Sequence, residues 1–304
     1  MRYEDFKEVF TKEITFLMEG SGVQISSQQI QKVNETLDAL SFRRQGDNIG
    51  TLLYLKDIYE QHEQGVGIVE LAEQARQFIG VRMSEMPDLP MIDHDFIARN
   101  VYLTVMNAER NRDYLSSIPH EMLEDMAVVP RVKVSEEASF AVRNSLMRPY
   151  GFSRDELFQV AHANMEKAEY RCSDLESVLF GFRSEPDPEM PPVPSIHVLT
   201  NLSGVDGAAA IVSEKAMKEA REKVGEDFLI LPSSRHEVLL VPRSMDISVK
   251  DLADMVRQVN QAVVDDKDLL SDHVYRYNSR AGSIKVLEPK ADAPEKTRSL
   301  PPIL

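Results

Sequence analysis

The pattern of apolar and polar positions predicts a chain of helices and short strands. Phe6, Phe10 and Ile14 lie four residues apart, which is the spacing of one buried helical face, so residues 3–18 are predicted to form a helix. Alternating or β-branched runs then predict strands over 23–33, 37–44 and 49–55, and helical spacing returns over 56–64 and 68–79. The first 80 residues therefore read as a helix, several short strands and two helices.

The middle of the chain continues this mixture. Apolar, β-branched runs predict strands over residues 101–107, 126–134 and 139–146, with helical segments over 96–100 and 108–115. Ser153 followed by Glu156, and Ser173 followed by Glu176, match the capping-box pattern that opens helices. Residues 1–183 are thus predicted to be an N-terminal α+β region.

The C-terminal half predicts the order strand, strand, helix, strand, strand, helix. Strands are expected over residues 196–201, 208–212, 227–231 and 238–241. Ser213 can cap a helix that ends before Gly225, and Ser248 can cap another that runs to 264. The last two strands are joined by the short segment 232–237, which favours an antiparallel hairpin. The predicted fold class is α+β, with helices packed on one face of antiparallel sheets.

The predicted domain organisation follows from proline content and loss of periodicity. Residues 184–194 contain five prolines and several acids, which is typical of a semi-rigid linker or an exposed loop. This segment is the predicted boundary between the N-terminal region and a C-terminal region, residues 195–278. Residues 279–304 show little periodicity, and we expect a disordered tail.

Composition and charge narrow the classes of partner. The chain has 304 residues, a formal net charge of -15 and a pI of about 5.0, so its overall charge repels phosphate backbones and anionic lipid. No run approaches the ~20 apolar residues that cross a bilayer. Cys172 is the only cysteine, which excludes an intrachain disulfide and fits a reducing compartment. We expect a cytoplasmic protein that binds neither nucleic acid nor membrane and has possible protein partners.

One segment brings together residue types that nucleophilic hydrolysis requires. Ser233, Ser234, His236 and Glu237 lie within five residues, and a serine, a histidine and an acid are the components of a catalytic triad. Neighbouring side chains of an extended segment point to opposite faces, so His236 and Glu237 are not expected to touch. A turn that starts at Pro232 explains the same residues without catalysis. Ser234, His236 and Glu237 remain the candidate catalytic residues.

Other patterns predict no cofactor and no metal site. Asp93, His94 and Asp95 offer possible metal ligands, but no second cluster accompanies them, and a solvated loop explains them better. A small-ligand pocket near Thr200, Asn201 and Gly207 is a further alternative, because glycine lets a ligand approach backbone amides.

A set of short motifs carries a resemblance that covers most of residues 1–278. In the C-terminal half they are Val198-Leu199-Thr200-Asn201, Gly207-Ala208-Ala209, Leu231-Pro232-Ser233-Ser234-x-His236-Glu237-Val238, Met255-Val256-x-x-Val259-Asn260 and Leu270-Ser271-Asp272-x-Val274-Tyr275. In the N-terminal half they are Gly46-x-Asn48-Ile49, Tyr54-Leu55, Asn111-x-x-x-Leu115, and Pro119-His120 followed by Asp125. In these motifs the chain resembles a bacterial family of unknown function with members of similar length. The C-terminal segment is also distantly similar to a second uncharacterised bacterial family.

Neither resemblance implies an activity, although the first marks His236 and Glu237 as positions of interest. We expect a non-enzymatic protein-interaction or regulatory module, since no complete catalytic or cofactor constellation is present. The alternatives are a hydrolase that uses Ser233 or Ser234 with His236, and a small-ligand sensor.

Overall fold

The computed structural model of the chain describes residues 1–46, 50–84, 90–135, 138–181, 195–232 and 234–288. The chain forms two compact units, Met1–Met91 and Ile92–Leu304. They are called unit 1 and unit 2. Within the described ranges, no helix is both long enough and apolar enough to cross a bilayer.

Unit 1 is a small antiparallel sheet with helices on one face. Its strands pair in the order β1-β2-β3. Phe6, Phe10 and Ile14 are fully buried and pack with Leu40 and Phe42 of the sheet, as the helical spacing predicted. The elements are α1 (Tyr3–Leu17), β1 (Val23–Lys32), β2 (Glu35–Arg44), β3 (Thr51–Tyr54), α2 (Leu55–Glu63) and α3 (Ile68–Ser84).

Unit 2 contains two antiparallel sheets. Its first half consists of α4 (His94–Asn100), β4 (Val101–Asn107), α5 (Arg112–Leu115), β5 (Glu121–Leu123), β6 (Met126–Lys133), β7 (Ser139–Ala141), α6 (Asn144–Met147), α7 (Arg154–Met165), β8 (Tyr170–Asp174) and α8 (Leu175–Phe180). Its second half consists of β9 (His197–Asn201), α9 (Glu214–Val224), β10 (Phe228–Leu231), β11 (Val238–Pro242), α10 (Val249–Ala262), β12 (Val274–Asn278) and β13 (Ser283–Leu287). In the smaller sheet β6 pairs with β4, β5 and β7, and the larger sheet has the order β13-β12-β10-β11-β9-β8.

The predicted α+β class is confirmed, and the arrangement around the larger sheet differs in one respect. Phe228 and Ile230 of β10 belong to a core that also contains side chains of α7 and α9. Leu229 and Leu231 point the other way and pack against α10. Because successive strand residues face opposite sides, both faces of this sheet are covered, where helices on one face only were expected.

The second strand predicted in the C-terminal half is a helix. Residues Gly207–Val212 form a 3₁₀ helix whose first five residues are all buried. Alanine has the highest helix propensity, and three consecutive alanines suit a tight turn pressed against β9. The observed order is therefore strand, 3₁₀ helix, α-helix, strand, strand, a second 3₁₀ helix (Arg243–Met245), α-helix.

Two further expectations concern the segments around unit 2's strands. Residues 283–287, predicted to lie in a disordered tail, form β13, because Ile284 is buried in the core and the strand pairs with β12. Residues 289–304 lie outside the described residues.

The predicted boundary at 184–194 also lies outside the described residues, and the strands on its two sides, β8 and β9, are neighbours in one sheet.

The two edge strands of the larger sheet each have a backbone group that a charged side chain satisfies. In β8, the carbonyl oxygen of Cys172 accepts a hydrogen bond from Lys223 Nζ at 2.7 Å. In β13, the backbone amide of Val286 donates to Glu124 Oε2 at 3.2 Å. Charged side chains on exposed edges oppose edge-to-edge pairing with another chain.

Candidate functional site

Ser234, a serine of the predicted catalytic segment, forms its side-chain hydrogen bond with the neighbouring backbone. Ser234 lies between β10 and β11, is 7% exposed and forms an isolated antiparallel bridge with Leu269. Its Oγ accepts a hydrogen bond from the backbone amide of His236 at 3.0 Å. This contact between a serine side chain and the amide two residues later is a typical turn interaction. Ser233 lies outside the described residues.

His236 is held through both ring nitrogens. Its Nε2 lies 3.1 Å from Asp268 Oδ1, and its Nδ1 accepts a hydrogen bond from the backbone amide of Asp206 at 3.3 Å. A carboxylate accepts only, so the neutral ring carries its proton on Nε2. The acid that faces His236 is Asp268. Glu237 is half-buried and forms no ion pair with the described residues.

Arg235 forms ion pairs with Asp206 and Asp268, the two residues that contact the ring of His236. Its guanidinium lies 2.9 Å from Asp206 and 3.6 Å from Asp268, while its backbone amide donates to the carbonyl oxygen of Asp268 at 2.9 Å. Asp206 has a left-handed backbone with φ 55°, which costs a non-glycine residue of order 1–3 kcal/mol. The ion pairs and the turn together hold this loop against the segment that precedes β12.

The space that a ligand sensor would need near Gly207 is filled. A Cβ built on Gly207 would lie 2.5 Å from the carbonyl oxygen of His236 and 2.8 Å from the amide nitrogen of Asn201, and closer still to Thr200 Oγ1. Thr200 Oγ1 itself donates to the carbonyl oxygen of His236 at 2.8 Å. Gly207 therefore permits close packing of the 3₁₀ helix on β9 and leaves no room there for a ligand.

A second polar cluster was not predicted. It consists of Asp125, Ser271, His273 and Tyr275 and is called the Asp125 cluster. Asp125 Oδ2 accepts from Ser271 Oγ at 2.9 Å and lies 3.0 Å from His273 Nδ1, and Asp125 Oδ1 accepts from the hydroxyl of Tyr275. Burial and this hydrogen bond to Asp125 raise the pKa of Tyr275, so the phenol stays protonated and donates.

The Asp125 cluster joins the two sheets of unit 2. Asp125 follows Glu124 in the two-residue loop between β5 and β6, whereas Ser271 is 146 positions further along the chain. Asp125, Ser271 and Tyr275 occur in motifs that carry the family resemblance, but spacing along the chain does not indicate that they meet. These residues meet because the β5–β6 loop packs against the segment at the start of β12.

Unit 2 also contains an open groove with a volume of about 970 Å³. Helix α9 forms one wall through Glu214, Met217 and Arg221, which share a helical face at spacings of three and four. Glu166 at the end of α7 anchors this wall, because its two carboxylate oxygens accept the backbone amides of Glu214 and Lys215 at 2.8 Å each. The other walls come from β5, α7 and the β12–β13 hairpin, and include Leu123, Glu124, His162, Tyr277, Ile284 and Lys285.

Glu124, in the loop after β5, forms hydrogen bonds with the opposite wall of the groove at β13. Its carboxylate accepts from Lys285 Nζ at 2.8 Å and from the backbone amide of Val286, and these contacts, the lysine first, lower the pKa of Glu124. In the part of the chain that the structure describes, no group of three or more His, Cys, Asp or Glu side chains is arranged to bind a metal ion.

Comparison with known proteins assigns the chain to a family. A search of curated proteins and a search of solved structures found no match. The pattern of a family of unknown function, DUF5688, matches residues 3–279. This match spans α1 of unit 1 through β12 of unit 2 and includes both candidate clusters. The chain therefore belongs to the family of unknown function DUF5688.

Proposed function

We propose that this protein is a protein-interaction module that binds a partner polypeptide through the groove of unit 2. The groove is the observation that carries the proposal. It is open, holds about 970 Å³, and combines apolar side chains with charges of both signs. An apolar centre with a polar rim is the usual composition of protein–protein interfaces. The single cysteine favours a reducing compartment, and we place the module in the cytoplasm.

Helix α9 suggests the chemistry of the partner segment. Glu214 and Arg221 lie seven residues apart on the wall of the groove, which is about 10 Å along a helix axis. Met217 lies between them on the same face. Met217 is only 4% exposed, so a partner segment would complement this wall mainly through a basic side chain near Glu214 and an acidic side chain near Arg221.

The contacts of Ser234 and His236 do not match those of a serine nucleophile and its general base. Ser234 accepts the amide of His236, and both ring nitrogens of His236 have other partners. A serine nucleophile needs a histidine nitrogen that can take its proton. In this arrangement neither nitrogen faces Ser234.

The binding proposal is tested by capture followed by a charge reversal. A photo-reactive amino acid would replace Met122, which lines the groove and is 58% exposed, so that Arg221 is kept. It would be cross-linked in a lysate of the producing cells, and captured proteins identified by mass spectrometry. Each captured protein is then purified and its affinity measured by calorimetry for Arg221→Glu and for Lys218→Glu, a matched control on the same helix outside the groove lining.

The expected result is at least a roughly tenfold loss of affinity for Arg221→Glu, because like charges then face each other across the interface. The affinity of Lys218→Glu should stay within about twofold, as rim charges away from a contact contribute little. Equal affinities of both variants for every captured protein would refute the groove as the binding site.

The hydrolase alternative has a separate test. A fluorophosphonate probe reacts with activated serines, and an adduct on Ser233 or Ser234 would be located by mass spectrometry. We expect no adduct on Ser234, given its contact with the amide of His236. An adduct that is lost in His236→Ala would overturn the binding proposal in favour of hydrolysis.

A further inference from the structure

The Asp125 cluster has a graded exposure to solvent. Tyr275 is 0% exposed and Ser271 is 1% exposed, so the two hydroxyl donors lie inside. The side chains of Asp125 and His273 are 31% and 47% exposed, so the carboxylate lies between the buried donors and a histidine at the surface. His273 thus has a carboxylate at one ring nitrogen, Nδ1. At His236, by contrast, both ring nitrogens have partners.

The contacts of His273 determine its tautomer. The carboxylate of Asp125 accepts only, and it lies 3.0 Å from Nδ1, so Nδ1 carries the proton and Nε2 has the free lone pair. The backbone amide of His273 also donates to Ser271 Oγ at 3.1 Å, which fixes the residue on the same cluster. Among the described residues, none donates a hydrogen bond to Nε2.

We infer that His273 Nε2 is a general base, positioned by Asp125, that activates water for attack on a carboxylic ester. A histidine oriented by a carboxylate is the acid–base pair that hydrolytic sites use. Ser271 is not the nucleophile, because it is buried and donates its hydrogen to Asp125. Asp125 acts through His273 and is a positioning residue. This activity goes beyond the binding function and does not rest on it.

The reaction step requires only the ester, water and His273. The water oxygen forms a bond to the acyl carbon while one water proton passes to Nε2. The bond between the acyl carbon and the leaving oxygen then breaks, and its electron pair stays on that oxygen. The proton on Nε2 passes to the leaving oxygen or to solvent, which regenerates the neutral imidazole.

The test measures hydrolysis of p-nitrophenyl acetate by the full chain. His120 provides the matched control, since its Nδ1 lies 2.9 Å from a backbone carbonyl oxygen of Ile118 and therefore has the same tautomer without a carboxylate. We expect His273→Ala and His273→Gln to lose at least about a hundredfold of the protein-catalysed rate, the low end of general-base effects. His120→Ala should keep its rate within about twofold, because a surface imidazole without a carboxylate adds little.

Two further readouts separate a basic role from a structural one. Glutamine at 273 retains a donor for Asp125, so His273→Gln should stay folded by circular dichroism and still lose the rate. After subtraction of the rate that the same imidazole concentration gives without protein, added imidazole should restore activity to His273→Ala and leave His120→Ala unchanged, which a purely structural defect would not allow. Nitrogen-15 spectra of neutral His273 should show the proton on Nδ1, and Asp125→Asn should increase the other tautomer and lower the rate.

The proposal is overturned by any of three results. They are equal rates for the wild type and both His273 variants, equal losses in His273→Ala and His120→Ala, and a wild-type spectrum with Nδ1 unprotonated. The second result would identify ordinary surface imidazole chemistry. The groove test is unaffected by each of them, because Arg221 is not part of the Asp125 cluster.

Discussion

Among the glycines, Gly207 is the one where an added Cβ would lie closest to other atoms. The structure puts the Cβ of Gly207→Ala 2.5 Å from the carbonyl oxygen of His236 and 2.8 Å from the amide nitrogen of Asn201. Real Cβ atoms essentially never lie closer than 3.0 Å to such atoms. Two of the obstructing atoms belong to backbone, so they can move only if β9 or the loop before β11 moves with them.

The expected cost follows from two contributions. Overpacking a tight core costs about 1–3 kcal/mol, and separation of Thr200 from the carbonyl oxygen of His236 removes a hydrogen bond that contributes about 1 kcal/mol. Reduced freedom of the unfolded chain offsets about 0.5 kcal/mol. Gly207→Ala should therefore lower the free energy of unfolding by about 1.5–3.5 kcal/mol, a large part of the stability of a typical domain, which is about 5–15 kcal/mol.

The assay is urea unfolding followed by far-ultraviolet circular dichroism, with Gly204→Ala as the control. Gly204 has open space around it but a φ of 69°, so alanine there should cost only about 1–2 kcal/mol. The double variant Thr200→Ala with Gly207→Ala should recover only part of the lost stability. Removal of Thr200 Oγ1 relieves one close contact, while the contact with the carbonyl oxygen of His236 remains. A Gly207→Ala variant no less stable than Gly204→Ala would refute the close packing.

Three other perturbations have expected outcomes. Glu166→Gln should destabilise the fold by about 1 kcal/mol in thermal unfolding, because a neutral amide binds the amides at the start of α9 more weakly. The raised pKa of buried Tyr275 stabilises the fold fully below about pH 10, and this contribution falls by about 1.4 kcal/mol per pH unit above it. Tyr275→Phe should therefore be about 1–3 kcal/mol less stable in urea at neutral pH, with a gap to wild type that narrows at alkaline pH. Lys223→Ala should increase self-association in sedimentation velocity, because the carbonyl oxygen of Cys172 on edge strand β8 loses its partner, whereas Lys218→Ala should sediment as wild type does.

Local patterns in the sequence were sufficient for most individual elements. The spacing of Phe6, Phe10 and Ile14 specifies one buried face of α1, since a helix repeats about every 3.6 residues. Ser153 and Glu156 form the predicted capping box, because both partners lie within one turn. The β10–β11 hairpin also follows from neighbouring segments. In each case the interacting residues are close in sequence.

The same local patterns were misleading where distant packing decides the conformation. Val259 and Val263 continue the helical spacing of Leu252 and Val256, yet they are 40% and 77% exposed, because the sheet covers only the face with Leu252 and Val256. Residues 283–287 have weak periodicity and become a strand because β12 offers them an edge. Apolar spacing shows what can be buried, and neighbouring elements determine what is buried.

The sequence by itself determined the α+β class, the helices capped by Ser153, Ser213 and Ser248, and the segment that contains Ser234 and His236. Helix α8 is capped by Asp174, where Ser173 was predicted. The sequence also indicated that His236 and Glu237 would not face each other. Only the tertiary structure decided that Asp268 faces His236 and that Asp125 meets His273 from 148 positions away. The physical reason is that hydrogen bonds and ion pairs depend on distances in space, and those distances are set once the sheets have packed.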